Sequence, residues 1–312
     1  MALGAPMSKK LFDYSPFIEY AGEVTEESGK RQYTSKCGLV SASTTTVLSA
    51  YEEKEFLEVW KTKMRNLGED PDLISQESAR VGTAAHEYIE SYLIDGVYPL
   101  GSLVEQKIAC VAIDNFYSHV DPELSQCEQP LFYDAKLQKK PENFMLAGRY
   151  DNLVAISDNT FKIVKTGEIL PEQYLICDLK TKRSYDKLKK GGVKLKNLPR
   201  MDRCDYMFKN CLQASFYAAA LTLGTDFKEK YGAGVTGAVL VYTNEERCKL
   251  AYISHSDLNY YWKIFKGILR DFYGIKKLEK TWAQMVSDAN WRPDYENGGY
   301  QNNIPKEIEL CN

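Results

Sequence analysis

The chain reads as an α/β protein in which a mixed β-sheet is flanked by helices, with a helical portion preceding the strands. Two observations predict this. Helical periodicity dominates the first third after a polar leader, and short apolar runs bounded by turn residues then alternate with two further helical patterns. The 312 residues suit one large domain or two small ones, and 44% hydrophobic with 27% charged residues is an ordinary balance for a chain with a packed core.

Residues 1–35 are polar and weakly periodic and read as an N-terminal arm. A Ser/Thr cluster from Ser41 to Thr46 offers several N-caps for a helix from Thr46 to Asn66. Gly68–Pro71 breaks it. A second helix runs from Asp72 to Ile94, because Ile74, Val81, Ala85, Tyr88, Ile89 and Tyr92 fall at helical spacing, and Gly96–Gly101 ends it. A third spans Val104 to His119.

Pro130–Asp134 and Phe144–Ile156 then read as strands, and Asp158-Asn159 as a turn before Phe161–Lys165. Ser157–Glu172 has the look of an inserted β-hairpin. Gln173–Leu179 suits a central strand because it is an almost continuous apolar run. Further on come a helix over Tyr206–Leu223, strands over Val235–Thr243 and Lys249–Ser254, and a helix over Ser256–Tyr273. From Trp282 the sequence is polar and turn-rich. The expected division is an arm (1–35), one domain (36–278) carrying a basic loop (182–205), and a tail (279–312).

Several classes are excluded. No apolar stretch approaches the eighteen or so residues of a membrane span, so no membrane partner is expected. The first ten residues show no targeting pattern. The eight cysteines contain no C-x-x-C pair, which favours free thiols over a disulfide scaffold, a zinc ribbon or an iron–sulfur cluster. A reducing compartment such as the cytoplasm is expected. No G-x-x-x-x-G-K-[ST] or G-x-S-x-G motif is present.

The chemistry concentrates in Gly148-Arg149-Tyr150-Asp151 on one strand and Asp178-Leu179-Lys180 at the end of the next core strand. Two carboxylates at neighbouring strand ends suit a hard divalent cation such as Mg²⁺ or Mn²⁺. Asp178 and Lys180 share a strand face, because side chains alternate, so the ammonium falls beside the cation. On the second helix Gly82, His86 and Glu90 lie at i, i+4 and i+8, and Gln213 and Tyr217 share one face of the helix after the basic loop. Between Lys180 and Arg203 stand ten Lys/Arg against Asp186 and Asp202, a local charge of +8 in a chain of net −3. Such a run beside a candidate site points to phosphate binding.

In this order the motifs resemble the RecB-type branch of the PD-(D/E)XK nuclease superfamily. Ser43–Leu48 (STTTVL), Trp60 and Arg80–His86 further resemble the opening of phage exonucleases related to the mitochondrial genome-maintenance exonuclease. The likeness covers roughly residues 40–275. It implies a restriction-endonuclease-like core and a metal-dependent DNA exonuclease, with endonuclease action or a catalytically inactive nucleic-acid-binding module as alternatives. It implies that Asp151 and Asp178 ligate Mg²⁺ or Mn²⁺, with the Leu179 carbonyl as a further ligand. Glu128, on the strand before Ala147-Gly148, and His86 complete the metal shell or hold its waters, and Lys180 is the catalytic lysine. Glu90, Thr181, Gln213 and Tyr217 support the site or hold DNA, and Lys182, Arg183, Lys187, Lys189 and Lys190 track its backbone. Single-stranded DNA or duplex ends are the implied substrate, with replication or recombination proteins as possible partners. The cysteine-bound iron–sulfur cluster of some RecB-type relatives is not expected, because Cys204 and Cys211 do not form its pattern.

Overall fold

The fold is known from a computed structural model, which describes residues 17–19, 23–27, 30–34, 40–52, 55–135, 144–182, 186–187, 193–194, 198, 201, 204–224, 234–295 and 297–311. In chain order the first strands are β1 (Phe17–Glu19), β2 (Glu23–Glu27), β3 (Lys30–Thr34) and β4 (Val40–Ser43). Four helices follow: α1 (Thr44–Tyr51), α2 (Glu55–Asn66), α3 (Pro71–Asp95) and α4 (Val104–Asn115). Then come β5 (Asp121–Cys127), β6 (Pro130–Ala135), β7 (Phe144–Arg149), β8 (Asn152–Ile156), β9 (Phe161–Ile163) and β10 (Gln173–Thr181). Two-residue strands β11 (Asp186–Lys187) and β12 (Val193–Lys194) precede α5 (Phe208–Gly224), β13 (Gly237–Thr243), β14 (Cys248–Ile253) and α6 (His255–Phe272). The chain closes with α7 (Trp282–Asn290), β15 (Arg292–Asp294), β16 (Gly299–Gln301) and β17 (Lys306–Leu310).

The architecture is mixed α/β, as expected, but with two large sheets in place of one. The first has six strands in the order β1-β6-β7-β4-β3-β2, and the second seven in the order β5-β8-β10-β13-β14-β17-β9. Two neighbour pairs, β10–β13 and β4–β7, are parallel, and the rest antiparallel.

Period-two alternation on the central strands splits the core in two. Tyr174 and Ile176 of β10, with Ala238, Leu240 and Tyr242 of β13, join the cluster built with α1, α5, α6 and α7. Leu175, Cys177 and Leu179, with Val239 and Val241, join the cluster built with α3 and α4. Burial on both faces explains why Gln173–Leu179 reads as a continuous apolar run. Asp178 and Lys180 extend the face of Tyr174 and Ile176.

Four expectations are corrected. The arm contributes β1 to β3, whose charged, short strands carry little hydrophobic pattern. The helix over 46–66 is two helices, α1 ending at Tyr51 and α2 beginning at Glu55. The strand over 144–156 is two strands in different sheets. The tail is integral: β17 inserts between β14 and β9, burying Ile308, and α7 buries Met285 and Ala289 under a Thr281/Gln284 capping box.

Asn159 does turn the chain, at φ 64°, but β9 pairs with β17 and does not return along β8. A small turn closes within the insertion, where the Ile163 amide donates to the Glu168 carbonyl at 2.8 Å. No helix among the described residues is long and apolar enough to cross a membrane.

Candidate active site

The two large sheets meet at a bend. β5 and β8 end their pairing at Cys127↔Asn152, and β6 and β7 begin theirs at Pro130↔Arg149. Between lie Glu128-Gln129 on one chain segment and Tyr150-Asp151 on the other. Glu128 takes φ 53°, a left-handed conformation that breaks the ladder, and its amide donates to the Asp151 carbonyl at 2.9 Å. Glu128 therefore stands in the link after β5, not on a strand. Both carboxylates sit where the chain leaves one sheet for the other, and the bend turns them toward α3.

Asp151 is held from the neighbouring strand. Because the segment leaves the ladder after Asn152, the Leu179 amide of β10 finds its acceptor in the Asp151 carboxylate, at 2.9 Å from Oδ2. Oδ1 carries no hydrogen bond among the described residues. His86 reaches in from α3, its Nδ1 at 3.6 Å from Asp151 Oδ2. One ligand-type atom each from His86, Glu128 and Asp151 lies within 4.8 Å of the others. Glu128 forms an ion pair with Arg149 at the end of β7.

Asp178 is 2% exposed, and both its oxygens face Lys180 Nζ, at 2.8 and 2.7 Å. Burial pushes the Asp178 carboxyl up to about 6, and Asp151 adds to the rise, against the pull of Lys180 and His86. For Lys180 burial acts downward, but Asp178 and Asp151 outweigh it and hold the ammonium above its ordinary value. Lys180 is thus a charged donor at neutral pH.

Two glycines set the close approaches. A Cβ on Gly82 would lie 3.2 Å from Thr181 Oγ1, so the glycine brings α3 against the end of β10. A Cβ on Gly148 would lie 2.6 Å from Tyr217 Cε1 and 2.8 Å from Thr44 Oγ1, so this residue lets β7, α1 and α5 meet.

A cleft of about 1130 Å³ is lined by His86, Arg149, Asp151, Asp178, Lys180, Gln213 and Tyr217. Ser41 and Ser43 of β4 and Thr45, Thr46 and Ser49 of α1 also line it. Ser43 caps α1 by accepting the Thr46 amide at 3.0 Å, and Thr44 Oγ1 donates to the Ala147 carbonyl at 3.1 Å. Gln213 Nε2 donates to Tyr217 Oη at 2.9 Å, so their polar ends meet in the cleft.

The remaining sequence candidates are placed as follows. Leu179 is buried and contributes its amide to Asp151. Glu90 lies a turn beyond His86, near Cys127 and outside the cleft lining. The Lys182 amide donates to the Thr243 carbonyl at 2.9 Å. Lys187 lies in the β11–β12 ribbon. Arg183, Lys189 and Lys190, with most of the basic loop, lie outside the described residues. Arg149 and the α1 hydroxyls line the cleft without having been assigned roles. The Ser/Thr run before an apolar helix is the sequence signal for the hydroxyls, since the same residues that cap α1 line the cleft.

The fold and the site define a mixed α/β protein with a carboxylate-rich cleft at the junction of two sheets. No protein-family model matches the chain, and no curated protein matches it. Among solved structures, one described as "Crystal structure of SSO0001" aligns with a TM-score of 0.32 and 14% identity, over 72% of this chain and 75% of that chain. A likeness of that degree carries no argument.

Proposed function

We propose that the chain is a PD-(D/E)XK-type nuclease with a restriction-endonuclease-like core, hydrolysing DNA from its ends with Mg²⁺ or Mn²⁺ and preferring unpaired ends. The observation that carries this reading is that His86 and Asp151 stand with the Asp178–Lys180 pair in one open cleft, with a carboxylate oxygen of Glu128 within 4.8 Å of ligand atoms of His86 and Asp151. The donor set fits the ion: carboxylate oxygens predominate, one imidazole is added, and Asp151 Oδ1 carries no hydrogen bond among the described residues. His86, Glu128, Asp151 and Asp178 would hold the cation, whose chemistry is to stabilise charge gathering on the phosphate.

The chain's own groups supply the rest. Lys180, kept charged by two acids, orients the attacking water and donates to the developing anion. The hydroxyls of Ser43, Thr45, Thr46 and Ser49 line the same cleft as the acids, a setting suited to holding a phosphate. Gln213 and Tyr217 mark the wall against which the strand rests.

The test is degradation of end-labelled linear single-stranded DNA in Mg²⁺ or Mn²⁺. Wild type should degrade it, while Asp178→Ala and Lys180→Ala should lose at least about a hundredfold in rate, a typical loss for a preorganised charge-stabilising group. Circular single strands should survive. Variants as active as wild type would overturn the assignment, and cleavage of the circle would make the enzyme an endonuclease.

A further inference from the structure

Away from the cleft, the segment that reads as a polar tail builds a surface with its own chemistry. The geometry points to a single-stranded polynucleotide bound across the outer face of α6 and the β15–β16 ribbon, phosphates on lysine and arginine and bases on exposed aromatic rings. The inference rests on the proposed function for its choice of polynucleotide.

A groove of about 320 Å³ runs between α6 and the segment leading into α7, lined by Tyr260, Lys263, Arg270, Lys276, Lys277 and Lys280 among others. Lys276 pairs with Glu279 at 3.0 Å, and Lys280 with Asp288 at 2.5 Å. Lys263, Arg270 and Lys277 are exposed and have no carboxylate within ion-pair distance among the described residues. The groove carries five Lys/Arg against Glu279 and Asp288, with Asp271 close enough to Lys277 to feel its charge, a local positive balance in a chain with net charge −3.

The aromatic half is joined directly to this groove. Arg292 of β15 lies over the ring of Tyr260, 4.9 Å from its centroid, fixing the ribbon against α6. The ribbon is closed by a turn: Arg292↔Gln301 and Asp294↔Gly299 pair, Gly298 takes φ 71°, and its amide donates to the Asp294 carbonyl at 2.9 Å. It and its base present Trp291, Tyr295 and Tyr300 at 66, 92 and 74% exposure. Large rings this exposed are costly to hydrate, and three on one short segment, tied to the groove through Arg292 on Tyr260, match the chemistry of a single strand, which offers unpaired base faces and a phosphate backbone together. A duplex hides its base faces and would not use the rings.

Binding of labelled oligo-dT, oligo-rU and duplex DNA to the full chain is measured by fluorescence anisotropy in EDTA, where no hydrolysis intervenes. Combined Trp291→Ala, Tyr295→Ala and Tyr300→Ala should weaken single-strand binding by at least about tenfold and leave duplex binding unchanged. Combined Lys263→Gln, Arg270→Gln and Lys277→Gln should lower the slope of log affinity against log salt by about 2. A loss on oligo-dT alone or on both single strands supports the surface and identifies its strand. The inference is overturned if both variants bind single strands as wild type does, or if the aromatic variant loses duplex binding equally. These results leave the nuclease reading standing, and a chain that binds through this surface but never cleaves would overturn only that reading.

Discussion

The amide of Glu128 donates to the carbonyl of Asp151 at 2.9 Å, and this bond ties together two points where the chain passes between the seven-stranded and the six-stranded sheets. Two acids that would be surface residues on a continuous strand are turned to one side by the bend. Glu128→Gln should keep this backbone bond and the fold but lose the charged oxygen. Mn²⁺ titration calorimetry should show affinity about tenfold or more weaker, the scale of loss around metal sites, with little change in melting temperature. Unchanged affinity would remove Glu128 from the cation's surroundings.

Gly148 meets Tyr217 and Thr44 at distances no Cβ tolerates, whereas Gly82 meets only the hydroxyl of Thr181, at 3.2 Å. Gly148→Ala should cost about 1–3 kcal/mol and displace α1 from the cleft, and Gly82→Ala should cost clearly less. Urea unfolding of both variants checks the order; equal destabilisation would contradict the packing described.

Much of this site was legible in sequence and some was not. Asp178 and Lys180 could be placed on one face from strand periodicity alone, and Gln213 and Tyr217 from helical spacing, because local periodicity sets direction. The sheet switch at Glu128 and Asp151 was not legible. It depends on a positive φ at a residue other than glycine and on a bond between positions 128 and 151, neither of which leaves a local pattern. The same physics hid β17. Its KEIEL sequence carries one buried apolar residue, Ile308, and its place is decided by the free edge of β14.

Ile308 therefore gives a direct check on the C-terminal segment. Ile308→Ala should destabilise by about 2–5 kcal/mol, as for other buried aliphatic truncations. A tail outside the core would show no change in chemical denaturation.

The buried Asp178 gives the metal-free protein a distinctive pH dependence. Its folded pKa, about 6, lies above the unfolded value of 3.8. Between these values the folded state holds a proton that the unfolded state lacks. Its contribution to stability therefore rises as pH falls from about 6 toward 4, at no more than about 1.4 kcal/mol per pH unit, and levels off below. Melting in EDTA should show wild type gaining relative to Asp178→Asn over that window. Parallel curves would mean that burial does not raise the Asp178 carboxyl as described.

The central claim is that the cleft between the sheet junction and α1 holds a divalent cation. Crystals grown with Mn²⁺ and measured at the manganese edge test it most directly. An anomalous peak beside His86, Asp151 and Glu128, within reach of Asp178, is the predicted result. A cleft without a peak, with Arg149 and Lys180 still paired to their acids at saturating Mn²⁺, would contradict it.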